Sequence, residues 1–312
     1  MNFLTYTGKR LLQVIPVLFG ISIGIFSLIH LIPGDPADTI LGNRATPQRS
    51  AEIHHLLGID KPLFTQYLTF LNHAIHGNLG QSFFTQQPVS TAIYSRLNVT
   101  LLLLGGGIIF SILISLPLAI LAATREGSVR DQIIRVIPIV GLGMPQVWTG
   151  LQLILLFGIK LHWFPVSGFG NTFLEHLRAI ILPSFTIALT LSPILIRSLR
   201  SSMLSILEAD YVLTARSKGI KTSRILLVHV VRNAFIASVT VLGVNIAYLV
   251  GATVVIERVF SLPGTGSLMI NAIGQRDFPI VQGVTLFFAV AVVLVNLATD
   301  LIHAALDPRV SI

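Results

Sequence analysis

The sequence predicts an all-α integral membrane protein, and three observations predict this class. Apolar side chains make up 53% of the 312 residues, and charged side chains only 11%. The mean hydropathy of +0.82 is higher than a soluble protein surface tolerates. The apolar residues also form long continuous runs without two-residue alternation, which favours membrane-spanning helices over the strands of a barrel.

Six of these runs are long enough to be transmembrane helices, because a helix needs about 20 mostly apolar residues to cross the hydrocarbon core. The six predicted spans are about 11–31, 101–123, 133–159, 179–196, 234–256 and 280–302. The first run is longer than a signal-peptide core and lacks a small-residue cleavage motif, so we expect an uncleaved span. The third contains Pro138 and Pro145 and is expected to tilt or kink.

The positive charges predict the orientation of the six spans. Most Lys and Arg residues of the short connections fall on one side of the membrane, together with Lys9, Arg10 and the C-terminal Arg309. Short cytoplasmic loops are enriched in Lys and Arg, so this side is predicted to be the cytoplasm. Both termini are therefore expected to be cytoplasmic.

We expect a single transmembrane domain over 1–312, in which two connections are long enough to contain helices of their own. The extracytoplasmic segment, 33–100, is predicted to contain helices at about 47–57 and 62–76. Each begins at a proline and ends next to a glycine, which are common residues at those helix ends. The other long connection is the cytoplasmic loop 197–233.

Four apolar residues of the cytoplasmic loop are spaced as on one face of a helix. They are Leu204, Leu207, Tyr211 and Ala215. This spacing predicts one amphipathic helix, interrupted at one edge of its apolar stripe by Glu208. Arg216 and Lys218 favour the C-terminal end of a helix dipole, and Gly219 suits the residue after it. Such a helix could lie on anionic lipid, form a solvated connection or dock into a groove of a cytoplasmic partner.

The same loop resembles the cytoplasmic signature of a known family. It reads Tyr-x-x-Thr-Ala-Arg-x-Lys-Gly over Tyr211–Gly219 and Arg-Asn-Ala over Arg232–Ala234. Further motifs agree in order along the chain: IPGDP (Ile32–Pro36), LLGIDKPL (Leu56–Leu63), GNLGQS (Gly77–Ser82), PVSG (Pro165–Gly168), ERVFSLPGTG (Glu257–Gly266), RDFPIVQG (Arg276–Gly283) and DPR (Asp307–Arg309). Over essentially its whole length the sequence is similar to the permease subunits of ABC importers, in the dipeptide, oligopeptide and nickel branch.

This resemblance implies the type I importer permease fold, a location in the bacterial cytoplasmic (inner) membrane and a set of partners. A second, homologous permease subunit would complete the pathway, and an extracytoplasmic solute-binding protein would deliver the cargo. Two cytoplasmic ATPase subunits would hold ATP and magnesium, so no cofactor is expected on this chain. Short peptides are the expected cargo, with nickel complexes and glutathione as alternatives. Membrane lipid is a further expected partner, and nucleic acid is not.

In this family the loop helix is a coupling helix that docks on an ATPase subunit, and the resemblance implies that role for residues around 208–219. The expected coupling residues are Leu207, Tyr211, Thr214, Ala215, Arg216, Lys218 and Gly219. The sequence departs from the family pattern twice. Importer permeases in general carry Glu-Ala-Ala-x-x-x-Gly, whereas Leu213 occupies the position of the glutamate here. Ala237 replaces a proline that would kink the start of the fifth span.

The sequence predicts that the subunit is not an enzyme. A P-loop requires Gly-x-x-x-x-Gly-Lys-Ser/Thr, which does not occur, so the energy must come from a partner. The absence of cysteine excludes a thiolate zinc site and a cysteine nucleophile. Four histidines of the extracytoplasmic segment are expected to be solvated rather than to bind a metal. They are His54, His55, His73 and His76.

Polar side chains within the spans are costly in lipid and are expected to face a cavity or another helix. They are His30, Gln152, Asn245, Asn296 and Asp300. The first interpretation is that these side chains form hydrogen bonds between helices and hold the bundle together. The second is that they line the substrate pathway or its gate.

Two other classes of protein remain as alternatives. A stand-alone, ion-coupled transporter would show inverted repeats and acidic residues at the membrane midplane, and the sequence shows neither. A membrane scaffold that transports nothing would use the basic loop only as a lipid anchor.

Overall fold

The structure, a computed structural model, describes residues 3–31, 36–41 and 46–306. The regular elements within these ranges are helices. The motif at Asp307–Arg309 lies outside the described residues, and of the motif at Ile32–Pro36 only Pro36 is described. The side chain of His30 is also outside the description.

The first third of the chain contains one long helix and three short ones. They are α1 (Phe3–Leu31), α2 (Pro36–Leu41), α3 (Pro47–Leu57) and α4 (Leu63–Ile75). The Thr46 hydroxyl accepts a hydrogen bond from the backbone N–H of Arg49 at the start of α3. Gly58 ends α3 in the left-handed conformation, at φ 68°. The proline and glycine signals of the sequence thus coincide with the ends of α3 because they satisfy its terminal backbone groups.

The rest of the chain forms a bundle of long helices with short helices between them. They are α5 (Val89–Ala123), α6 (Val129–Leu142), α7 (Gln146–Leu153), α8 (Phe173–Leu207), α9 (Asp210–Ser217), α10 (Thr222–Arg224), α11 (Arg232–Val259), α12 (Thr265–Gln275) and α13 (Phe278–Leu306). Two π-helical stretches interrupt this series, Ile154–Lys160 after α7 and Ile225–Val231 before α11. Helix α11 is continuous from Arg232 onwards, through the position where the family pattern has a proline.

Five helices are long and apolar enough to cross a membrane. They are α1 over Thr7–Ser27, α5, α8, α11 over Ser238–Val259, and α13. A sixth span forms if the bent pair α6 and α7 is counted as one. The all-α prediction is therefore confirmed, with five or six elements that are long and apolar enough to span a membrane.

The third predicted span is broken rather than merely kinked. Its two parts, Val129–Leu142 and Gln146–Lys160, meet at an angle of 101°. Pro145 has no N–H to donate to the preceding turn and disfavours helical geometry at Met144, so the chain leaves the helix and starts a new one at Gln146.

The centre of the bundle is the contact between α5 and α8. Gly107 of α5 allows close approach, because a Cβ atom there would lie 2.6 Å from Cγ2 of Ile187 on α8. Leu103, Ile187 and Leu191 are almost fully buried in the same cluster. Such a contact requires a residue without a side chain on one helix, and the sequence supplies it in the run Gly105–Gly107.

At the end of the bundle that is predicted to face away from the cytoplasm, buried polar side chains connect distant loops. We call Ser82, Thr100, Glu257, Thr265 and Asp277 the outer junction. The Thr100 hydroxyl donates to Oε1 of Glu257 at 2.6 Å, and the backbone N–H of Ser267 donates to Oε2 at 2.9 Å. The Ser82 hydroxyl and the Phe83 N–H donate to the carboxylate of Asp277.

Candidate coupling site

The predicted amphipathic helix of the cytoplasmic loop is two helices instead of one. Helix α8 continues from the membrane to Leu207, and α9 begins at Asp210 after a break at Glu208 and Ala209. The prediction of one apolar stripe from Leu204 to Ala215 is therefore wrong, because the angular spacing of residues is not conserved across a break. Leu207 belongs to the end of α8 and is half-buried.

The C-terminal end of α9 has the hydrogen bonds of a Schellman motif. The N–H of Ile220 donates to the carbonyl of Ala215 at 3.2 Å, and the N–H of Gly219 donates to that of Arg216 at 2.9 Å. Gly219 has φ 75°, and no atom lies within 4 Å of the position of a Cβ atom there. Glycine is therefore favoured at 219 by its backbone conformation and not by lack of space.

One side of α9 packs against its own chain. Val212 is fully buried and Ala215 is 8% exposed, three residues apart and hence on one face. They belong to a cluster that includes Met203 of α8, Ile225 of the π-helical stretch and Ala234 of α11. Ala215, one of the expected coupling residues, thus fixes α9 to the bundle from its inner side.

The opposite side of α9 is open to solvent. Five of the expected coupling residues are exposed there or at the helix end: Tyr211, Thr214, Arg216, Lys218 and Gly219. Leu213 and Ser217 are also exposed. Leu213 is 49% exposed even though it is apolar. Asp210 lies in the first turn and Arg216 in the last, where each charge is favourable to the helix dipole. The exposed surface is therefore apolar in its middle and cationic at its C-terminal end.

Tyr211 connects α9 to the start of α11. Its Oη accepts a hydrogen bond from Nδ2 of Asn233 at 3.3 Å, and the same amide donates to the carbonyl of His229 at 2.8 Å. The Tyr211 and His229 rings meet edge to face, with their centroids 6.5 Å apart. The Arg-Asn-Ala motif thus positions α9 through Asn233 and through the buried Ala234.

A buried ion pair joins α8 to α6 near the same end of the bundle. Asp131 is fully buried in the first turn of α6, and Arg200 of α8 donates Nε to its Oδ1 at 2.6 Å and Nη2 to its Oδ2 at 2.8 Å. The N–H of Gly127 also donates to this carboxylate. Two parallel bonds from one guanidinium fix both distance and orientation. Movement of the end of α8 that leads into α9 is therefore linked to α6.

The polar residues of the spans have different surroundings. Nη1 of Arg10 on α1 lies 2.9 Å from Oδ2 of Asp300 on α13, so this acidic residue joins two helices. Asn245 donates to the carbonyl of Val241 in its own helix. Gln152 and Asn296 are exposed, and neither makes a hydrogen bond within the described part of the chain. The latter two are thus available to a partner or to the pathway.

The extracytoplasmic histidines do not converge on one site. His55 pairs with Oδ2 of Asp60 at 2.9 Å, and this hydrogen bond lowers the pKa of the Asp60 carboxyl. The ring of His76 lies 2.7 Å from the carbonyl oxygen of Asn72. Over residues 3–31, 36–41 and 46–306, no three histidine or acidic side chains are grouped as metal ligands would be.

Sequence reasoning missed several residues that build the site. Asp131 and Arg200 lie among many charges of the inner connections, and only the Ser128 N-cap before Asp131 marks it as a first-turn residue. Val212 was not predicted to be buried, because the predicted apolar face ran through the helix break and placed Tyr211 on the inward side instead.

Comparison with known proteins identifies the family. Residues 115–312 match the model of the binding-protein-dependent transport system inner membrane component. Residues 3–104 match the N-terminal model of the membrane components of such transport systems. The chain belongs to this family. It is therefore a multi-pass protein of the bacterial inner membrane and a permease subunit of an ABC importer, as the motifs predicted.

Curated relatives of this permease family are similar over nearly the full chain. The di/tripeptide transport system permease protein DppB of Pseudomonas aeruginosa is 36% identical, and the alignment covers 98% of both chains. The glutathione transport system permease protein GsiC of Escherichia coli K12 is 34% identical over 98% of this chain and 99% of its own. A chain of the MetNI methionine ABC transporter, in an inward-facing conformation, has a TM-score of 0.57 at 17% identity. It covers 69% of this chain and 96% of the MetNI chain. The type I permease fold is thereby confirmed.

Proposed function

We propose that this permease imports short peptides. Its similarity to DppB over 98% of both chains is the observation that supports this cargo most directly. A second candidate cargo is glutathione, which the similarity to GsiC favours. Glutathione is itself a small peptide, so both relatives favour a pathway that admits peptide-sized polar solutes.

In this proposal the chain forms half of the translocation pathway. A second, homologous permease subunit supplies the other half, and an extracytoplasmic binding protein delivers the cargo. Gln152 and Asn296 support an interface with another subunit or with the pathway, because an exposed amide within an apolar span is unfavourable against lipid. Asn245 and Asp300 have partners within the chain, so we assign them to the stability of the bundle.

We further propose that α9 is the coupling helix and that its solvent-facing side docks on one of two cytoplasmic ATPase subunits. Leu213 and Tyr211 supply apolar surface for burial, and Arg216 and Lys218 supply positive charge for acidic groups at the rim of a groove. Ala215 and Leu207 contribute indirectly, because they hold the helix against the bundle. ATP and magnesium are bound by the partner subunits, and this chain performs no catalysis.

The fixed contacts of α9 support its role in transmitting movement. The helix packs on α8 and on the π-helical stretch, in the buried cluster that contains Val212 and Ala215, and Tyr211 joins it to α11 by a hydrogen bond to Asn233. The ion pair of Asp131 with Arg200 adds α6 to the same unit. A movement imposed on the exposed side of α9 would therefore reach three spans through buried contacts rather than through flexible loops.

Reconstitution of the complete importer in liposomes, with its binding protein, tests both parts of this proposal. Dipeptides and tripeptides are expected to stimulate ATP hydrolysis, and glutathione is the comparison solute. The variant Leu213→Asp should abolish this stimulation and weaken co-purification of the ATPase subunits, because it places a charge in the centre of the docking surface. The control Gln87→Asp changes an exposed residue near the outer junction and should leave co-purification intact.

Different results would overturn different parts. If Leu213→Asp retains both the ATPase subunits and the stimulation, α9 is not the docking helix. If neither peptides nor glutathione stimulate ATP hydrolysis in the wild-type complex while another solute does, the cargo assignment is wrong and the docking assignment stands.

A further inference from the structure

Helix α4 of the extracytoplasmic segment is attached sideways to the first transmembrane helix. The ring of Tyr67 meets Phe19 and Phe26 of α1 edge to face, with centroid distances of 6.1 and 5.4 Å. Phe70 adds a second contact with Phe26, at 6.1 Å. The hydroxyl oxygens of Tyr67 and Ser22 lie 2.8 Å apart, and Ser22 is only 4% exposed.

These contacts lie within the bilayer and not above it. Arg10, paired with Asp300, marks the end of α1 that is predicted to be cytoplasmic. At about 1.5 Å per residue, Phe19 lies about 14 Å and Phe26 about 24 Å further along α1. The hydrocarbon core is about 30 Å thick, so Phe19 lies close to its middle and Phe26 lies in its outer half. Helix α4, which packs on them, therefore lies at the depth of the outer leaflet.

The exposed surface of α4 is divided into two faces. Four apolar side chains lie within about 60° of one another at about 100° per residue. They are Phe64, Leu68, Leu71 and Ile75, of which Leu71 is half-buried and the others are exposed, and this set is called the α4 stripe. Phe64 and Ile75 are 72% and 74% exposed. The stripe borders the face that contacts α1.

The polar residues of α4 occupy the other side. They are Thr65, Thr69, Asn72 and His73, and all of them are exposed. The helix contains no Asp, Glu, Lys or Arg, so no ionised carboxylate, ammonium or guanidinium group has to be removed from water when the helix enters the interface. This division into an apolar face and a polar face is typical of a helix that lies in the plane of a membrane surface.

We propose that α4 is an interfacial helix embedded in the outer leaflet, with the α4 stripe among the lipid acyl chains and its polar face toward the headgroups. The exposed apolar surface of α1 continues into the stripe, because Leu12, Ile15 and Phe19 of that span are also exposed, by 67%, 62% and 50%. A soluble binding protein would approach from the aqueous side, where α4 presents its polar face. This lipid contact goes beyond the transport function and does not depend on the cargo.

Spin labels can measure the environment of each face, because the chain contains no cysteine and single-cysteine variants need no background changes. Leu68→Cys places a nitroxide in the stripe, and Thr69→Cys places one on the adjacent polar face. Leu12→Cys on α1 serves as the reference for lipid exposure. The complete importer, with partner subunits that lack cysteine, is reconstituted in phosphatidylcholine liposomes. Collision rates with oxygen, which concentrates in lipid, and with a water-soluble nickel chelate are then compared.

The label at 68 is expected to resemble the one at 12, with an oxygen-to-nickel collision ratio several-fold higher than at 69. Two results would overturn the proposal. A label at 68 that the nickel chelate reaches as readily as it reaches 69 would mean that the stripe faces water. A label at 68 shielded from both reagents would mean that another protein subunit covers the stripe. Neither readout requires transport activity.

Discussion

The sequence motifs at the two ends of the bundle differ in how deeply their residues are buried. At the outer junction the motif residues are buried: Glu257 is fully buried and Asp277 is 2% exposed. At the coupling site most motif residues are exposed, including Tyr211, Arg216 and Lys218. A motif that is diagnostic for the family is thus a structural contact at one end of the molecule and an open surface at the other.

The outer motifs are explained by contacts with one another. ERVFSLPGTG folds back so that Glu257 accepts hydrogen bonds at the start of α12. Its glycine at 266 is required because a Cβ atom there would lie 2.5 Å from the Cα atom of Val254. GNLGQS and RDFPIVQG meet where Ser82 bonds to Asp277. The motif residues at this end therefore stabilise the fold of the chain itself.

The inner end also has a buried polar contact, but it lies outside the signature loop motif. Asp131 and Arg200 fix α6 to α8, whereas on the exposed face of α9 Tyr211 bonds to α11 and Leu213 remains open to solvent. The buried contacts that stabilise the chain therefore involve other residues than most of those proposed to dock on a partner. Three substitutions test this separation.

Replacing Glu257 with alanine should have the largest effect. The substitution removes the acceptor of the Ser267 N–H and the carboxylate acceptor of the Thr100 hydroxyl, which retains the Thr265 hydroxyl oxygen at 2.9 Å, in a site closed to solvent. Each unsatisfied buried group costs about 1–3 kcal/mol, so we expect a loss of about 2–6 kcal/mol for the two groups. The measurement is the thermal unfolding midpoint of the purified complex in detergent.

Glu208→Ala is the matched control, since Glu208 is exposed at the break between α8 and α9. Its unfolding midpoint should remain close to that of the wild type. If the two glutamate variants unfold at the same temperature, the outer junction does not stabilise the chain and the comparison fails.

The second substitution separates two arginines that approach the same carboxylate. Arg200 is 15% exposed and makes two short bonds to Asp131, whereas Arg135 is 49% exposed and lies 3.6 Å away. Arg200→Met should cost about 2–3 kcal/mol, because a buried carboxylate loses its main partner. Arg135→Met should cost less than about 1 kcal/mol, as is typical of an exposed pair.

Urea unfolding of the detergent-solubilised complex, monitored by loss of helical circular dichroism, measures both costs. Because Arg200 links α6 to α8, its variant should also reduce the stimulation of ATP hydrolysis by cargo more than Arg135→Met does. Equal costs for the two variants would show that the short, paired geometry of Arg200 contributes nothing beyond its charge.

The sequence predicted the fold class and the family, because these depend on composition, run length and local motifs. Continuous apolar runs were sufficient for α5, α8 and α13, in which no residue inside the run breaks the helix. The proline and glycine signals located the ends of α3. The Schellman end of α9 was also predictable, since Gly219 is the residue that such an end requires.

The parts that sequence did not predict depend on three-dimensional neighbours. Pro145 indicated a kink, but its effect depends on whether packing straightens or separates the two helix halves. The break after Leu207 has no proline or glycine to mark it, so the inward face of α9 was assigned to the wrong residues. The partners of Glu257 and Asp277 are distant in sequence and become neighbours only when the bundle is assembled.

The third substitution, at Gly219, should have the smallest effect on stability and a clear effect on coupling. Gly219→Val forces a β-branched residue into φ 75°, which costs about 1–3 kcal/mol, although space for its side chain is available. Gly219→Asn is the matched control, because asparagine tolerates this conformation.

We expect the valine variant to insert normally and to lose the stimulation of ATP hydrolysis by cargo, because the distorted end of α9 no longer presents Lys218 and Arg216 correctly. The asparagine variant should retain most of the stimulation. If both variants behave alike, the backbone conformation at 219 does not control docking, and the coupling surface would have to be sought in the more rigid part of α9 around Leu213.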